Sequence, residues 1–456
     1  MSLVNILKSS ILSSKFIPTT DQQALFDLCF NVNRFTHETI LYQTLTHCWS
    51  INPTTTLKLI FYIRDYQGQG ERKPFYSALT WLLLFHPTCL KQILPLIPSY
   101  GYYKDLFVFL GTSCENEIIE ILVSQLQKDS ESLSNLSKNI SLVAKWLPTE
   151  GSVIDRKYRL VSKICKRLKI SKSTYRKDYL TPLRASLPLV ERFLSSKSYN
   201  LINPHSVPII ALHRYSKTLV QHGINFSPQL YFTKPEQMFH FYLTKNVYQP
   251  LIEILWRNYL SASVKGSSIF VVLDTSDSMK YHKFFELKRA LLLTLCYSNA
   301  WSPFSTLPNF SPIVGKSLFE QIQNILKTST LSTSNIDLNV YLLNLLEQTK
   351  IPNTLLFLSD LDFNFATTGT DFSSLTEKYA QKSCLLPQII FWTLSKKYVS
   401  ISTQSNIIII EGYNPLIYSL ILKRLQAPIV YETFRADLLN DIVNHARYET
   451  LTMETL

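Results

Sequence analysis

A chain of 456 residues, 46% hydrophobic and 17% charged, is long enough for two or three domains and too apolar to stay disordered. Seven scattered cysteines, odd in number and without a CxxC pair, argue against a disulfide framework or structural zinc and point to a reducing, cytoplasmic setting. A net charge of +13 favours a polyanionic partner, and only ten glycines favour helices joined by Pro/Ser/Asn loops over a turn-rich β protein.

Met1–Ile17 is mildly apolar, but Lys8 and Lys15 interrupt it and no small-residue cleavage site follows, so it does not read as a secretory signal. Thr80–Ile97 and Ile407–Leu422 are interrupted by charges and prolines and fall short of about 20 apolar residues, so no membrane span is expected. From the N-terminus to about Leu260 short apolar helices alternate with polar breaks. The pattern predicts helices over Asp21–Phe30, Thr54–Arg64, Phe75–Phe85, Cys89–Ile97, Leu106–Leu110, Ile118–Leu126 and Ser141–Leu147. Their spacing of about 15–25 residues is that of helix-pair solenoids, a HEAT-like array without an exact repeat.

Within this region lies the charge excess. Between Asp155 and Arg184 eleven Lys/Arg face only Asp155 and Asp178, leaving +9 in thirty residues. Such a concentration suits a phosphate backbone, against the plainer reading of a solvated helical face. Lys166, Arg167, Lys169, Lys172, Arg176 and Lys177 have almost no acidic neighbours in sequence and are the candidate RNA contacts. Tyr158, Tyr175 and Tyr179 lie among them as rings that could stack bases.

The texture changes near Ser261. Continuous apolar runs at Ile269–Leu273, Thr354–Leu358, Gln388–Leu394 and Asn406–Ile410 alternate with helical stretches at Phe284–Cys296, Leu318–Leu326, Leu338–Leu346 and Leu416–Leu425. That order predicts a doubly wound, mostly parallel sheet covered on both faces. Ligands bind such sheets beyond the carboxyl ends of the strands. There the first run ends in Asp274-Thr275-Ser276-Asp277-Ser278 and the second in Ser359-Asp360. Two carboxylates and two hydroxyls on one edge are hard-cation ligands; the alternative is that they only cap the following helix.

The Asp-x-Ser-x-Ser spacing after a hydrophobic strand resembles the metal-ion-dependent adhesion site of von Willebrand factor A domains, with Asp360 at the second aspartate. The resemblance implies that Asp274, Ser276, Ser278 and Asp360 hold Mg²⁺ or Mn²⁺ with one position open to an acidic ligand. At the threonine that this family supplies from an intervening loop, Ile336 stands instead, with Thr333 or Ser334 one small register shift away; without either, the site is degenerate.

An ordered series of phrases covers most of the chain: Tyr62–Lys73 with its Arg64-Asp65 and Gly68-Gln69-Gly70, Tyr100–Leu106, Ala144–Pro148, Tyr175–Lys177, Phe391-Trp392 and Glu411–Leu416. The series resembles an uncharacterised family related to the TROVE domain of Ro autoantigen proteins, in which a helical-repeat ring is closed by a von Willebrand A-like domain. It implies residues 1–260 as a helical-repeat domain, 266–430 as the A-like domain and 431–456 as a helical tail. It also implies RNA, single-stranded or structured, as the partner, since Ro-like rings hold RNA ends in a basic hole. The arginines beside the glycine loop are expected to form structural ion pairs with Asp65, Glu71 or Asp105.

The reading is therefore a non-enzymatic RNA-binding scaffold or quality-control-like protein with a metal-site docking domain. The alternatives are a scaffold capturing an acidic protein partner at the A-like domain and, least, an RNA-processing enzyme. The histidines form no HExxH motif, no GxxxxGK[ST] loop is present, and Asp274, Asp277, Asp360 and Asp362 are few carboxylates for a two-metal nuclease. The Leu/Ile/Lys/Asn-rich composition suggests an A+T-rich genome, and the resembled family occurs in large DNA viruses as well as cells, which leaves a viral source and packaging into virions open.

Overall fold

The structure is a computed structural model. It describes residues 21–65, 67–135, 140–203, 207, 209–224, 253, 256–257, 269–305, 307–328, 338–348, 351–360, 372–395, 400–404, 407–412, 417 and 434–452. The chain forms two compact units, one of residues 1–203 with 443–456 and one of residues 204–442.

The first unit is helical, as the periodicity predicts. Helix Glu38–Ile51 buries Leu41, Tyr42, Leu45 and Cys48 on one face. It ends at Asn52, whose side chain accepts from the Thr55 N–H at 2.8 Å and caps the next helix, Pro53–Arg64, with Pro53 where its missing N–H costs nothing. Leu57, Leu59, Ile60, Phe61 and Ile63 of that helix are fully buried, each contributing about 1.5–3 kcal/mol of transfer free energy. Helix Lys73–Phe85 packs against both. Helix Glu115–Ser134 runs well beyond the expected Ile118–Leu126, because its polar last turns carry no apolar periodicity. Conversely, only Val143–Trp146 of the expected Ser141–Leu147 is helical.

The 3-10 turn Ala446–Tyr448 belongs to this unit, where Tyr448 and Leu451 are buried. Of the tail expected over 431–456, residues 443–456 therefore belong to the helical unit and the rest to the other.

The second unit holds a seven-stranded sheet: β1 Ile269–Leu273, β2 Ala300–Pro303, β3 Ser311–Pro312, β4 Thr354–Ser359, β5 Gln388–Thr393, β6 Ser400–Gln404 and β7 Ile407–Glu411. Their order is β3-β2-β1-β4-β5-β7-β6, parallel except for the edge strands β3 and β6. This is the doubly wound arrangement expected from the apolar runs, and the von Willebrand A-like one that the resemblance implied. One core cluster joins Phe304, Tyr341, Phe357 and Phe391, with Phe357 and Phe391 stacked at 6.0 Å. Trp392 Nε1 donates to the Gly412 carbonyl at 2.7 Å, which satisfies a polar atom at the centre of the sheet. Helices Tyr281–Tyr297, Leu318–Thr328, Leu338–Leu345 and Phe372–Gln381 alternate with the strands in this unit. The helix expected over Leu416–Leu425 lies almost wholly outside the described residues. Six of the seven cysteines are buried, Cys384 is half-buried, and none forms a disulfide.

Candidate functional site

The β1 and β4 registers run in step from Ile269↔Thr354 to Leu273↔Leu358, so both strands release their chains at one level of the sheet edge. The Asp274 N–H still donates to the Leu358 carbonyl at 2.9 Å, extending the ladder one residue into the loop. Asp274 is 2% exposed and accepts from the Ser276 N–H at 2.9 Å and from the Ser359 hydroxyl at 2.6 Å. The Ser276 and Ser278 hydroxyls lie 2.9 Å apart, and Ser278 donates to Asp360 at 3.0 Å. Ser276, Ser278 and Asp360 thus form one hydrogen-bonded chain of side-chain oxygens, which Asp274 joins through the Ser276 backbone N–H. Sequence reasoning missed Ser359, which holds the second Asp274 oxygen; its place before Asp360 was the only signal.

The electrostatics of this cluster are unbalanced. Burial raises the Asp360 carboxyl above its ordinary range; the Ser278 hydrogen bond works against this, and Asp274 and Glu286 add to it. One Glu286 carboxylate oxygen is buried without a hydrogen-bond partner. An all-oxygen donor set with crowded negative charge fits a hard divalent cation such as Mg²⁺ or Mn²⁺. Among the described residues no three His, Cys, Asp or Glu side chains converge as metal ligands, so the two serines would be necessary donors. Thr333, Ser334, Ile336 and Asp362 lie outside the described residues.

The basic segment folds as helices Val153–Tyr158 and Leu160–Leu168, a turn at Lys172–Thr174, a π-helix at Tyr175–Leu180 and helix Thr181–Ser186. Pro182 explains the π-helix. Its ring would crowd the carbonyl four residues back, and the widened turn instead lets the Thr181 N–H reach the Arg176 carbonyl. Helix Leu160–Leu168 buries Leu160, Val161, Ile164 and Cys165 and turns its cations outward. Asp155, buried, accepts from the Gly151 and Val161 N–H groups at 2.9 Å and ties the segment's first corner.

All six candidate contacts are exposed. Their freedom differs from the sequence expectation. Arg167 pairs with Glu120 and Lys172 with Glu150, acids that lie near them only in the fold, and Lys163 pairs with Glu115. Among the described residues Lys166, Lys169, Arg176 and Lys177 make no ion pair, and Lys169 sits at a helix end with left-handed backbone, φ 56°. Two other expectations are corrected. Tyr175 is buried with its hydroxyl on the Pro148 carbonyl, so it cannot stack a base. Arg184, counted in the charge excess, donates to the Ala144 and Leu147 carbonyls at 2.8 and 2.7 Å.

Of the two arginines beside the glycine loop, Arg64 forms the expected structural ion pair, whereas Arg72 makes none among the described residues. Arg64 donates to Asp105 at 2.7 Å, both buried, and Arg34 pairs with Glu71 at 3.0 Å. The glycine loop is pinned: the Gly68, Gln69 and Glu71 N–H groups return to the Asp65, Tyr62 and Ile63 carbonyls at 2.8–3.0 Å. Asp65 has a partner that no local pattern announces, Arg447, together with a 3.0 Å hydrogen bond from the Tyr448 hydroxyl.

Two family models match the chain. A domain of unknown function, DUF2828, matches residues 13–121 and 116–227, and another, DUF7788, matches residues 269–446. An uncharacterised protein of Acanthamoeba polyphaga mimivirus is 22% identical over 500 residues, covering 95% of this chain and 84% of the relative. Among solved structures the chain is similar to the Ro (RSR) protein of Deinococcus radiodurans, with a TM-score of 0.39, 10% identity, and coverage of 93% of this chain and 99% of that one. Matches to uncharacterised families are therefore found, as the ordered phrases led us to expect. At that TM-score the Ro likeness has no bearing on the site or its ligand.

Proposed function

We propose that this protein is a non-enzymatic RNA-binding scaffold that holds RNA on the basic face of its helical unit. The observation that carries this reading is the set of exposed cations without ion pairs, Lys166, Lys169, Arg176 and Lys177, on consecutive elements of one thirty-residue segment. Cations that make no ion pair among the described residues are available to phosphate, and the TROVE resemblance points to the same ligand. Four phosphate contacts to a single strand give a slope of about −2.8 in log affinity against log salt, or about 50-fold between 50 and 200 mM. Filter binding of labelled single-stranded RNA at those two concentrations, with and without chelator, tests it. Lys166→Glu with Lys169→Glu should weaken binding and flatten the slope, while Asp274→Ala leaves both unchanged; the reverse pattern would sink the assignment.

A second reading concerns the Asp274 loop, favoured by its convergent oxygens and by the buried Glu286 oxygen without a partner. Asp274, Ser276, Ser278 and Asp360 would hold Mg²⁺ or Mn²⁺, and the ion would supply a coordination position for a carboxylate of an acidic protein partner. The protein's own residues orient that position: Ser359 fixes Asp274, and Ser395 donates to the Asp360 carbonyl at 2.9 Å. Such a contact responds to chelator more than to salt. A cytoplasmic setting, with virion packaging should the source be viral, suits cysteines that form no disulfide.

A further inference from the structure

Tyr102 precedes the 3-10 segment Tyr103–Phe109, and its N–H donates at 2.9 Å to Asp105, the carboxylate that Arg64 holds in the core. The backbone beneath the ring is therefore fixed while the residue is 37% exposed. The Trp146 ring lies beside it, half-buried, with centroids 5.2 Å apart and planes 37° apart. Trp146 is fixed from the other side by the basic segment: Arg184 holds the Ala144 and Leu147 carbonyls and Tyr175 holds that of Pro148.

Cations surround the two rings. Beyond Arg64, whose Cζ lies 5.0 Å from the Tyr102 centroid and whose charge Asp105 already pairs, Arg72 Cζ is 5.3 Å from that centroid, and the Lys145 and Lys104 ammonium nitrogens are 5.7 and 6.0 Å from that of Trp146. Among the described residues none of the three makes an ion pair. Contacts of this kind at exposed sites are weak, about 0.5–1 kcal/mol each. Three like charges about one aromatic pair also repel one another. A ligand that places an anion among them and a flat apolar face on the rings offsets that repulsion and covers the exposed ring.

We propose that Tyr102 and Trp146 are a stacking platform for an unpaired base of single-stranded RNA, with Arg72, Lys104 and Lys145 on the flanking phosphates. The proposal rests on the RNA reading above but uses other residues and other physics. Phosphate contacts follow charge and salt, whereas stacking requires a base with a free face and depends little on salt. A duplex, whose bases are already stacked, gains nothing at this surface, so the platform selects single strands.

The test uses the full chain and two strands of about ten nucleotides, one oligouridine and one of equal length with abasic positions. Wild type should prefer the oligouridine, and Tyr102→Ala should lose about 5- to 100-fold of affinity for it while binding the abasic strand as wild type does, with an unchanged salt slope. Tyr102→Phe, which keeps the ring, should retain the wild-type value. Lys166→Glu with Lys169→Glu should instead weaken both strands and flatten the slope. A second readout is 2-aminopurine placed in the strand, whose fluorescence should be quenched by wild type and Tyr102→Phe but not by Tyr102→Ala. Equal binding of both strands by wild type, or undiminished oligouridine binding by a folded Tyr102→Ala variant, overturns the platform and leaves the RNA reading standing. Binding of neither strand at about 50 mM salt overturns both, and an acidic peptide that binds in their place reassigns the patch.

Discussion

Gly101, Arg64 and Asp105 show how tightly single residues are specified around the motif loops. A methyl group on Gly101 would stand 2.2 Å from an Asp105 carboxylate oxygen and 2.9 Å from Arg64 Nε, so only glycine leaves room for the pair. Asp105 also accepts from the Tyr76 hydroxyl at 2.6 Å. Asp105→Ala therefore strands a buried guanidinium and a phenol together and should cost about 3–5 kcal/mol in urea denaturation. A cost under 1 kcal/mol would mean that the pair is solvated in solution. At the Asp274 loop the sign differs. Asp360→Asn removes a charge crowded by Asp274 and Glu286 while its amide oxygen still accepts from Ser278. The metal-free variant should be no less stable than wild type. Manganese near 100 times its Kd should stabilise wild type by about 2.7 kcal/mol and the variant not at all. Retention of the manganese shift by Asp360→Asn would remove Asp360 from the ligand set.

Among the elements, the C-terminal turn Ala446–Tyr448 depends most on residues distant in sequence. Arg447 pairs with the fully buried Asp65, donates to the Ser99 carbonyl at 3.1 Å, and lies over the Tyr100 ring at 5.3 Å; Tyr448 stacks on Tyr100 at 5.7 Å. Arg447→Ala leaves Asp65 with the Tyr448 hydroxyl and the Gln67 N–H, so the loss should be partial, about 2–4 kcal/mol by urea denaturation. A change within 0.5 kcal/mol would show that the turn adds nothing to the helical unit. This contact also marks where reading the sequence stopped. β1, β4, β5 and β7 were legible because strands buried on both faces are continuous apolar runs, as in Ile269–Leu273 and Ile407–Ile410. β2, β3 and β6 were not: Ala300–Pro303 and Ser311–Pro312 are short and carry prolines, and Ser400–Gln404 is polar, as edge strands are. The four oxygens of the Asp274 loop were legible because strand ends fix where their next residues go. The pairing of Arg167 with Glu120 and of Asp65 with Arg447 was not, since neither spacing has a local period.

At the scale of the whole chain, residues 204–442 are inserted between the two parts of the helical unit, which takes up the chain again at Val443. Each unit has its own core, one built on helices such as Pro53–Arg64 and one on the Phe304–Phe391 cluster. Two cores and the two proposed ligand chemistries make unfolding a test of the division of labour. Calorimetry should show two transitions. Single-stranded RNA in excess should raise the one belonging to the helical unit, and manganese the one belonging to the sheet. The assignment comes from the variants: Arg447→Ala should lower the RNA-sensitive transition alone, and Asp360→Asn should abolish the manganese response alone. If both ligands moved the same transition, RNA and metal would share one site. The basic segment would then be a solvated face, and the Asp274 loop the place where RNA is held.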